Sequence, residues 1–219
     1  MTYKFGIDIP TSIKHALDIY RINQNTFRRD ALELEMTNVG IPFDILDDND
    51  VVPPVCSKVT GHIIFDCKMD TTRKSRWLLD GHKTPEPLYS TYAGVVFRES
   101  VIISLTYAAL NDLDVTCADI INAYLQAPSL QKDCIICGPD FWIENMGKKA
   151  LIKQELYGGK SAGRGFRNHL RSCMLHQKFQ PCLADPDVCM RPIKKSNVSP
   201  WYEYVLLYTD NILLISENG

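Results

Sequence analysis

The stretch that decides the fold of this chain is Glu203-Tyr-Val-Leu-Leu-Tyr-Thr-Asp-Asn-Ile-Leu-Leu-Ile-Ser216. Two strongly apolar runs flank Thr209-Asp210-Asn211, and Asp and Asn favour tight turns. The pattern therefore predicts a β-hairpin with a carboxylate at its tip. At this point Asp210 has two interpretations: an ordinary turn residue, or an acid held stiffly for chemistry.

Outside this hairpin, the apolar periodicity predicts three helices. They cover residues 26–40, 98–110 and 161–178. The first has an apolar face made of Phe27, Ala31, Leu34 and Val39. The second is expected to be buried, because Val101, Leu105, Ala108 and Ala109 recur along it.

The remaining periodic segments predict strands. Residues 62–69 and 75–79 form a second hairpin, and single strands cover residues 113–120, 150–156 and 188–191. Residues 1–25 show little organisation and are expected to be a linker or leader, with a candidate helix over residues 13–20. Helices that are segregated from hairpins predict an α+β fold rather than a parallel α/β sheet.

Charge is distributed unevenly along the chain. The 219 residues include 24 Lys and Arg against 26 Asp and Glu, a net charge of −2 that argues against a nucleic-acid partner. Residues 145–178, however, carry eight basic groups and one acidic group. In the predicted helix over residues 161–178, a set of cations falls within an arc of roughly 60°: Arg164, Arg167, Arg171 and Lys178. This face is either a solvated surface or a contact for a phosphate backbone.

The composition also restricts the class of protein. Hydrophobic residues make up 45% of the chain, which is typical of a globular protein and not of a disordered one. No apolar run is long enough to predict a membrane span. The eight cysteines are scattered and no export signal begins the chain, so we expect a reducing, intracellular compartment without a disulfide framework. Cys134 and Cys137 have zinc-site spacing but no second pair, and we expect two buried side chains instead.

Two carboxylates stand out because of the apolar segments that carry them. Asp119 ends a predicted strand, and Asp210 lies at the hairpin tip. Two such acids brought together form a site of hard oxygen ligands, which suits Mg²⁺. Paired metal ions of this kind support phosphoryl transfer.

Four motifs resemble those of the copia-type retrotransposon reverse transcriptases, and they occur in the same order. Residues 208–211 resemble the Tyr-x-Asp-Asp hairpin, and Ala118-Asp-Ile-Ile-Asn-Ala-Tyr124 resembles the first catalytic motif. Leu156-Tyr-Gly-Gly-Lys160 and the residues up to Phe166 resemble the Leu-Tyr-Gly-Leu-Lys segment. Phe65 to Arg76, followed by Gly81-His82, resembles the fingers hairpin. The resemblance covers roughly residues 31–216.

This resemblance implies a polymerase of the right-hand type, with fingers and a partial palm. The implied segments are a leader (1–25), fingers (26–95 and 128–157) and palm (96–127 and 158–219), and a thumb is expected to be absent. The implied function is that of an RNA-directed DNA polymerase region of a retrotransposon polyprotein. Its partners would be an RNA template, a DNA primer and deoxynucleoside triphosphates, with other chains or the rest of a polyprotein. The implied location is the cytoplasm, a virus-like particle or the nucleus, with no membrane partner.

The resemblance also assigns roles to individual residues. The catalytic positions would be Asp119, Asp210 and the degenerate Asn211. Two Mg²⁺ ions, with Mn²⁺ as an alternative, would be held by Asp119, the backbone carbonyl of Ile120, and Asp210. The incoming nucleotide would contact Lys74, Arg76, Tyr124 and Ser161. The template-primer would contact Lys160, Arg164, Arg167 and Tyr208.

Several positions depart from the family pattern. Asn211 replaces the second Asp of the hairpin motif, which removes one charge from the implied metal site. Gly159 and Phe166 replace a Leu and a Trp, Ser161 stands where many relatives have Gln, and residues 77–80 replace small apolar residues. We therefore expect a truncated, decayed copy whose fold is largely kept and whose catalysis is weak or absent. The alternatives are a non-catalytic nucleic-acid-binding remnant and a pseudogene product of a retroelement.

Overall fold

The computed structural model of the chain describes residues 2–138, 141, 145–193 and 201–217. These residues form two compact units, each built from two separated stretches of chain. Unit 1 comprises Met1–Ser90 and Tyr124–Ala162, and unit 2 comprises Thr91–Ala123 and Gly163–Gly219. The same alternation occurs in the predicted fingers and palm segments. The identification of the units as fingers and palm remains a prediction.

The described elements include thirteen strands and four α-helices. In chain order they are β1 (Thr2–Lys4), β2 (Ile7–Ile9), α1 (Ile13–Asn23), α2 (Phe27–Gly40), β3 (Phe43–Ile45), β4 (Ser57–Lys58), β5 (Gly61–Cys67), β6 (Arg73–Leu79), α3 (Arg98–Leu110), β7 (Asp114–Asp119), β8 (Asp133–Ile136), β9 (Lys149–Ile152), α4 (Ala162–His176), β10 (Gln180–Pro181), β11 (Val188–Ile193), β12 (Trp201–Tyr208) and β13 (Asn211–Ser216). The mixture of helices and largely antiparallel sheets confirms the α+β class. None of the described helices is both long and apolar enough to cross a membrane.

The N-terminal residues are more organised than their sequence indicated, and the candidate helix over residues 13–20 is confirmed as part of α1. Strands β1 and β2 form an antiparallel hairpin, and α1 follows directly. The Ser12 hydroxyl caps α1 by accepting a hydrogen bond from the His15 amide at 3.1 Å. The sequence signal was weak because each strand has three residues and α1 fully buries only Ala16.

The predicted second hairpin is present in unit 1 as β5 and β6. The strands pair along seven residues each, from Gly61 opposite Leu79 to Cys67 opposite Arg73. The inner face of β6 carries Trp77, whose ring meets Phe43 edge-on at a centroid distance of 5.3 Å. This aromatic contact lies in the main core of the unit, together with Met36, Val39 and Leu156.

Helix α2 has the predicted limits but presents a different face to the core. Phe27 and Leu34 are 54% and 65% exposed, whereas Arg28, Met36 and Val39 are buried. The Arg28 guanidinium donates to the backbone carbonyls of Asp8 and Asp66, at 2.6 and 2.8 Å. Because these bonds satisfy the buried cation, an arginine takes the inward position that apolar counting assigned to Phe27.

A four-stranded sheet in the order β3-β9-β8-β4 completes unit 1. Cys134 and Cys137 are both buried there, as predicted, and neither is in a disulfide. Burial raises the pKa of the Cys134 thiol, which keeps it protonated at neutral pH.

Unit 2 contains an antiparallel sheet in the order β10-β11-β12-β13-β7, with α3 packed against β13 and β7. Its core consists of Val96, Ala108, Val188, Leu206 and Ile215. Helix α3 has the predicted limits but is not buried, because Ile102 and Ile103 are 52% and 68% exposed. The sheet contacts only one side of this helix, while its sequence is apolar on several sides.

Candidate metal and nucleotide sites

The tip of the β12-β13 hairpin carries the first candidate acid, in unit 2. Tyr208 pairs with Asn211, so Thr209 and Asp210 form a two-residue turn. Thr209 adopts a φ of +54°, a conformation that is uncommon for a β-branched residue. The predicted hairpin is thus confirmed, with Asp210 at its tip.

The second candidate acid lies next to the first. Strand β13 pairs with β7, and this register puts Asn211 opposite Asp119. The Ile120 amide donates a hydrogen bond to the Asp210 carbonyl oxygen at 2.7 Å, which joins the end of β7 to the hairpin tip. Two acids that are distant in sequence therefore occupy neighbouring strand ends in one sheet.

The side chain of Asn211 interacts with the hairpin acid. Its amide donates to Asp210 Oδ1 at 3.1 Å, which orients this carboxylate. A neutral amide at this position leaves two carboxylates at the sheet end, Asp119 and Asp210. Among the described residues no group of three or more His, Cys, Asp or Glu side chains is arranged for a metal ion. Two carboxylates remain a donor set of hard oxygens, and this chemistry fits Mg²⁺ or Mn²⁺.

A groove of about 430 Å³ lies beside Asp119 and Asn211, and we call it the acid groove. Its lining includes Val96, Cys117, Asp119, Tyr208, Asn211 and Leu213, all of which belong to unit 2. One end is polar and the other is apolar. The volume falls within the range of small-molecule sites.

The strain at Thr209 leads to a prediction about stability. Thr209→Gly should raise the free energy of unfolding by about 1 kcal/mol, because glycine tolerates positive φ without the Cβ conflict. A matched control is Thr116→Gly in the exposed strand β7, where glycine should lower the free energy of unfolding by about 0.5–1 kcal/mol. Urea unfolding of both variants measures the difference. Destabilisation of equal size at both positions would show that Thr209 is unstrained.

Three of the candidate nucleotide contacts are grouped in unit 1. The Arg76 guanidinium lies 4.1 Å from the centre of the Tyr157 ring, and the Tyr157 ring lies 5.0 Å from that of Tyr124. Lys74 and Arg76 alternate with the buried Ser75 and Trp77, as the strand pattern predicted. Burial and the nearby Arg76 and Lys68 lower the pKa of the Lys74 ammonium.

Sequence reasoning did not identify Glu35, which lies next to this group. Its carboxylate accepts a hydrogen bond from the Trp77 amide at 2.7 Å, so α2 covers the outer edge of β6. Burial raises the pKa of Glu35, although the hydrogen bond and the charges of Arg76 and Lys74 oppose this rise. Nothing in the local sequence distinguishes Glu35 from other glutamates on a helix surface.

Ser161 lies inside unit 1, with 1% of its surface exposed. Its hydroxyl donates to Glu155 Oε2 at 3.0 Å, and the Leu130 amide donates to Oε1 at 3.0 Å. The Ser161 hydroxyl is thus committed to Glu155, in contrast to the nucleotide contact expected from the family pattern. Burial raises the pKa of Glu155, and the negative charge of the nearby Asp133 adds to this effect.

The raised pKa of Glu155 predicts a specific pH dependence of stability. The folded state binds the Glu155 proton more tightly than the unfolded state does, so this stabilisation is present below the usual glutamate pKa and is lost as pH rises. Relative to Glu155→Gln, the wild-type chain should therefore lose stability as the pH rises above about 4. Urea unfolding across this range gives the difference, and a constant difference would contradict the prediction.

Asp80 serves as a control, because its contribution to stability is expected to depend on pH in the opposite direction. Hydrogen bonds from Lys83 first, and then from Thr60 and His62, lower the pKa of its carboxyl group. Its stabilisation is therefore present above the usual aspartate pKa and is lost on acidification. Relative to Asp80→Asn, the wild-type chain should lose stability as the pH falls below about 4.

The four predicted template-primer contacts have different environments. In unit 1, Lys160 Nζ donates to the Thr84 carbonyl at 2.8 Å and to Glu86 Oε1 at 2.7 Å. In unit 2, Arg167 forms an ion pair with Asp187, with a shortest distance of 2.6 Å. Arg164 is half-buried, and Tyr208 is 56% exposed beside the acid groove. Lys160 and Arg167 are therefore engaged by acids of the chain itself.

Each unit thus groups part of the predicted site. Unit 2 brings Asp119, Asp210 and Asn211 together, and unit 1 brings Arg76 and Tyr124 against the ring of Tyr157. No known protein-family model matches the chain. The family resemblance therefore depends on the four motifs and their order.

Proposed function

We propose that this chain is the fingers and palm region of an RNA-directed DNA polymerase from a copia-type retrotransposon polyprotein, with weak or absent catalysis. The observation that carries the proposal is the adjacency of Asp119 and Asp210, across the β7-β13 pair. An apolar hairpin that only made a turn would not require a second acid at the neighbouring strand end.

Asp119 and Asp210 would hold the divalent cation, with the Ile120 carbonyl oxygen as a further ligand. Mg²⁺ or Mn²⁺, when bound, supplies positive charge to the reacting phosphate oxygens. Asn211 orients the Asp210 carboxylate through its amide and contributes no charge of its own. The low charge of this donor set is the reason to expect weak cation binding and weak catalysis.

The cations of unit 1 would bind the triphosphate of the incoming nucleotide. Lys74 and Arg76 are on one side of β6, and charge-assisted hydrogen bonds from both would offset the negative phosphates. Tyr124 would lie against the sugar and exclude a 2′-hydroxyl by its volume. The tilted contact between the Tyr124 and Tyr157 rings supports this role, since it holds Tyr124 in one orientation.

The partners in this proposal are an RNA template, a DNA primer and deoxynucleoside triphosphates. Other chains, or the rest of the polyprotein, would complete the particle. The setting would be the cytoplasm, a virus-like particle or the nucleus.

The test is primer extension on an RNA template with Mg²⁺ or Mn²⁺. Wild-type chain should give weak or no synthesis, and Asn211→Asp should raise Mn²⁺ affinity about tenfold or more, since it restores one charge near the cation. The control Asn111→Asp alters an exposed residue after α3 and should change neither DNA synthesis nor Mn²⁺ affinity. Robust synthesis by the wild-type chain would contradict the predicted weakness. Failure of both chains to bind Mn²⁺ would overturn the proposal.

A second candidate is a non-catalytic nucleic-acid-binding remnant, or a pseudogene product of the same kind of element. The uncharged Asn211 favours it. It would show salt-dependent binding of nucleic acid without metal-dependent turnover. The internal ion pair of Arg167 with Asp187 weakens it, because this pair removes one cation from the basic face on which such binding would depend.

A further inference from the structure

Arg167, on helix α4, forms a two-pronged contact with Asp187. Its Nε lies 2.9 Å from Asp187 Oδ1, and a terminal nitrogen lies 2.6 Å from Oδ2. The Asp187 side chain is 5% exposed and that of Arg167 is 20% exposed. The hydrogen bond with Asp187 raises the pKa of the Arg167 guanidinium, which therefore remains charged throughout the ordinary pH range.

The backbone at Gly94 fits closely against this pair. A Cβ atom at this position would lie 2.9 Å from Asp187 Oδ2 and 3.1 Å from an Arg167 nitrogen. Only glycine permits this approach without moving the ion pair. The segment that leads into α3 is therefore packed directly on the Arg167–Asp187 contact.

Backbone hydrogen bonds connect the pair to the wall of the acid groove. The Leu207 amide donates to the Asp187 carbonyl at 2.9 Å, and the Val96 amide donates to the Leu207 carbonyl at 3.0 Å. The neighbouring Asp185 carboxylate accepts from the Phe97 amide at 2.9 Å. Residues 94–97 are thus joined to β12 beside Tyr208, near the hairpin tip.

Val96 is the residue through which this series of contacts reaches the candidate site. It is 6% exposed and lines the acid groove together with Asp119 and Asn211. A shift of residues 94–97 would move the groove wall relative to the acids. The Arg167–Asp187 pair lies against this segment at Gly94, and the Asp187 carbonyl is hydrogen-bonded to β12 at Leu207.

We infer that Arg167 and Asp187 are positioning residues for the acid groove, and that Arg167 acts inside unit 2 rather than on nucleic acid. The expected consequence of this positioning is an effect on the cation affinity of Asp119 and Asp210, and this consequence rests on the proposed function. The local step, immobilisation of residues 94–97, holds whether or not a cation binds there. The two steps can therefore be measured separately.

The test compares Arg167→Lys with loss of a matched ion pair elsewhere in unit 2. Lysine keeps the charge but loses the planar fork that makes two bonds. Arg191 also donates two hydrogen bonds to a carboxylate, both to Glu203 Oε2, at 3.1 and 2.6 Å, across β11 and β12. Arg191→Lys is therefore the control for loss of a paired arginine. Gly94→Ala is a second variant, which displaces the pair without removing either charge.

Two readouts distinguish positioning from a general structural role. The first is hydrogen exchange at the Val96 and Phe97 amides, measured by NMR, which should accelerate about tenfold or more in Arg167→Lys and Gly94→Ala but not in Arg191→Lys. The second is Mn²⁺ affinity, measured by electron paramagnetic resonance, which should fall about tenfold in the first two variants only. Thermal melting should show similar destabilisation by both arginine variants.

Three outcomes have separate meanings. Equal exchange at Val96 in Arg167→Lys and Arg191→Lys overturns the positioning role. If neither the wild-type chain nor Asn211→Asp binds Mn²⁺, the proposed function fails, and Val96 exchange in Arg167→Lys still decides whether the pair immobilises the segment. If Arg167→Lys reduces affinity for an RNA–DNA duplex without changing Val96 exchange, Arg167 is a template-primer contact and the inference is wrong.

Discussion

Asp119→Asn is expected to reduce Mn²⁺ affinity on the order of 100-fold and to remove any metal-dependent synthesis. Asp119 and Asp210 are the two carboxylates at the sheet end, so the substitution halves its negative charge. A unit charge at contact distance from a divalent cation contributes about 2–3 kcal/mol at a partly exposed site, and 1.4 kcal/mol corresponds to a factor of ten. Isothermal titration with Mn²⁺ measures the affinity directly.

The control for Asp119→Asn is an exposed aspartate of the same unit at the other end of β7. Asp112 precedes β7 and has a φ of +52°, a conformation that asparagine also tolerates. Asp112→Asn should leave Mn²⁺ affinity within about twofold, because its charge is exposed and screened. Equal losses in both variants would mean that the affinity reflects overall charge rather than a site. Unchanged affinity in Asp119→Asn would remove Asp119 from the site.

The β12-β13 hairpin could be predicted from the sequence, but the strand that pairs with it could not be predicted from the local pattern. Two apolar runs around Asp210 indicate a β-hairpin because turn chemistry and alternation are local properties. The pairing of Asp119 with Asn211 depends on which strand lies beside β13. No periodicity encodes that choice, and only the resemblance to a family connected the two acids in advance.

Helix α4 shows a different limit of sequence reasoning, in the partners of its charged side chains. The arc of cations predicted a charged face, and helix α4 is present. The acid that neutralises Arg167 comes from the loop before β11, beyond the reach of helical periodicity. A net charge of +7 over residues 145–178 therefore overstates the charge available to phosphates. Helix limits were predictable from local sequence, whereas the partners of the charged side chains depended on tertiary structure.

Gly158 has a structural role in the Leu-Tyr-Gly-Gly-Lys motif that was read from sequence only as a resemblance. Its φ is +85°, and a Cβ there would lie 2.3 Å from the Leu79 carbonyl oxygen. The Leu79 amide donates to the Tyr157 carbonyl at 2.8 Å, so the loop is hydrogen-bonded to the end of β6 at this point. The carbonyl of Gly158 in turn lies against Gly81, where a Cβ would be 2.0 Å away. Two glycines thus allow the loop and the hairpin to meet backbone to backbone.

Gly158→Ala is expected to lower the free energy of unfolding by about 2–5 kcal/mol, because left-handed strain adds to overpacking against backbone. Backbone atoms cannot move aside as a flexible side chain would, so little of this cost can be relaxed. The matched control is Gly40→Ala at the end of α2, where a Cβ meets nothing within 4 Å. That variant should be stabilised by roughly 0.5–1 kcal/mol, because alanine favours the helix. Urea unfolding of both variants tests the pair, and a Gly158→Ala chain as stable as wild type would show that the loop is free to withdraw from β6.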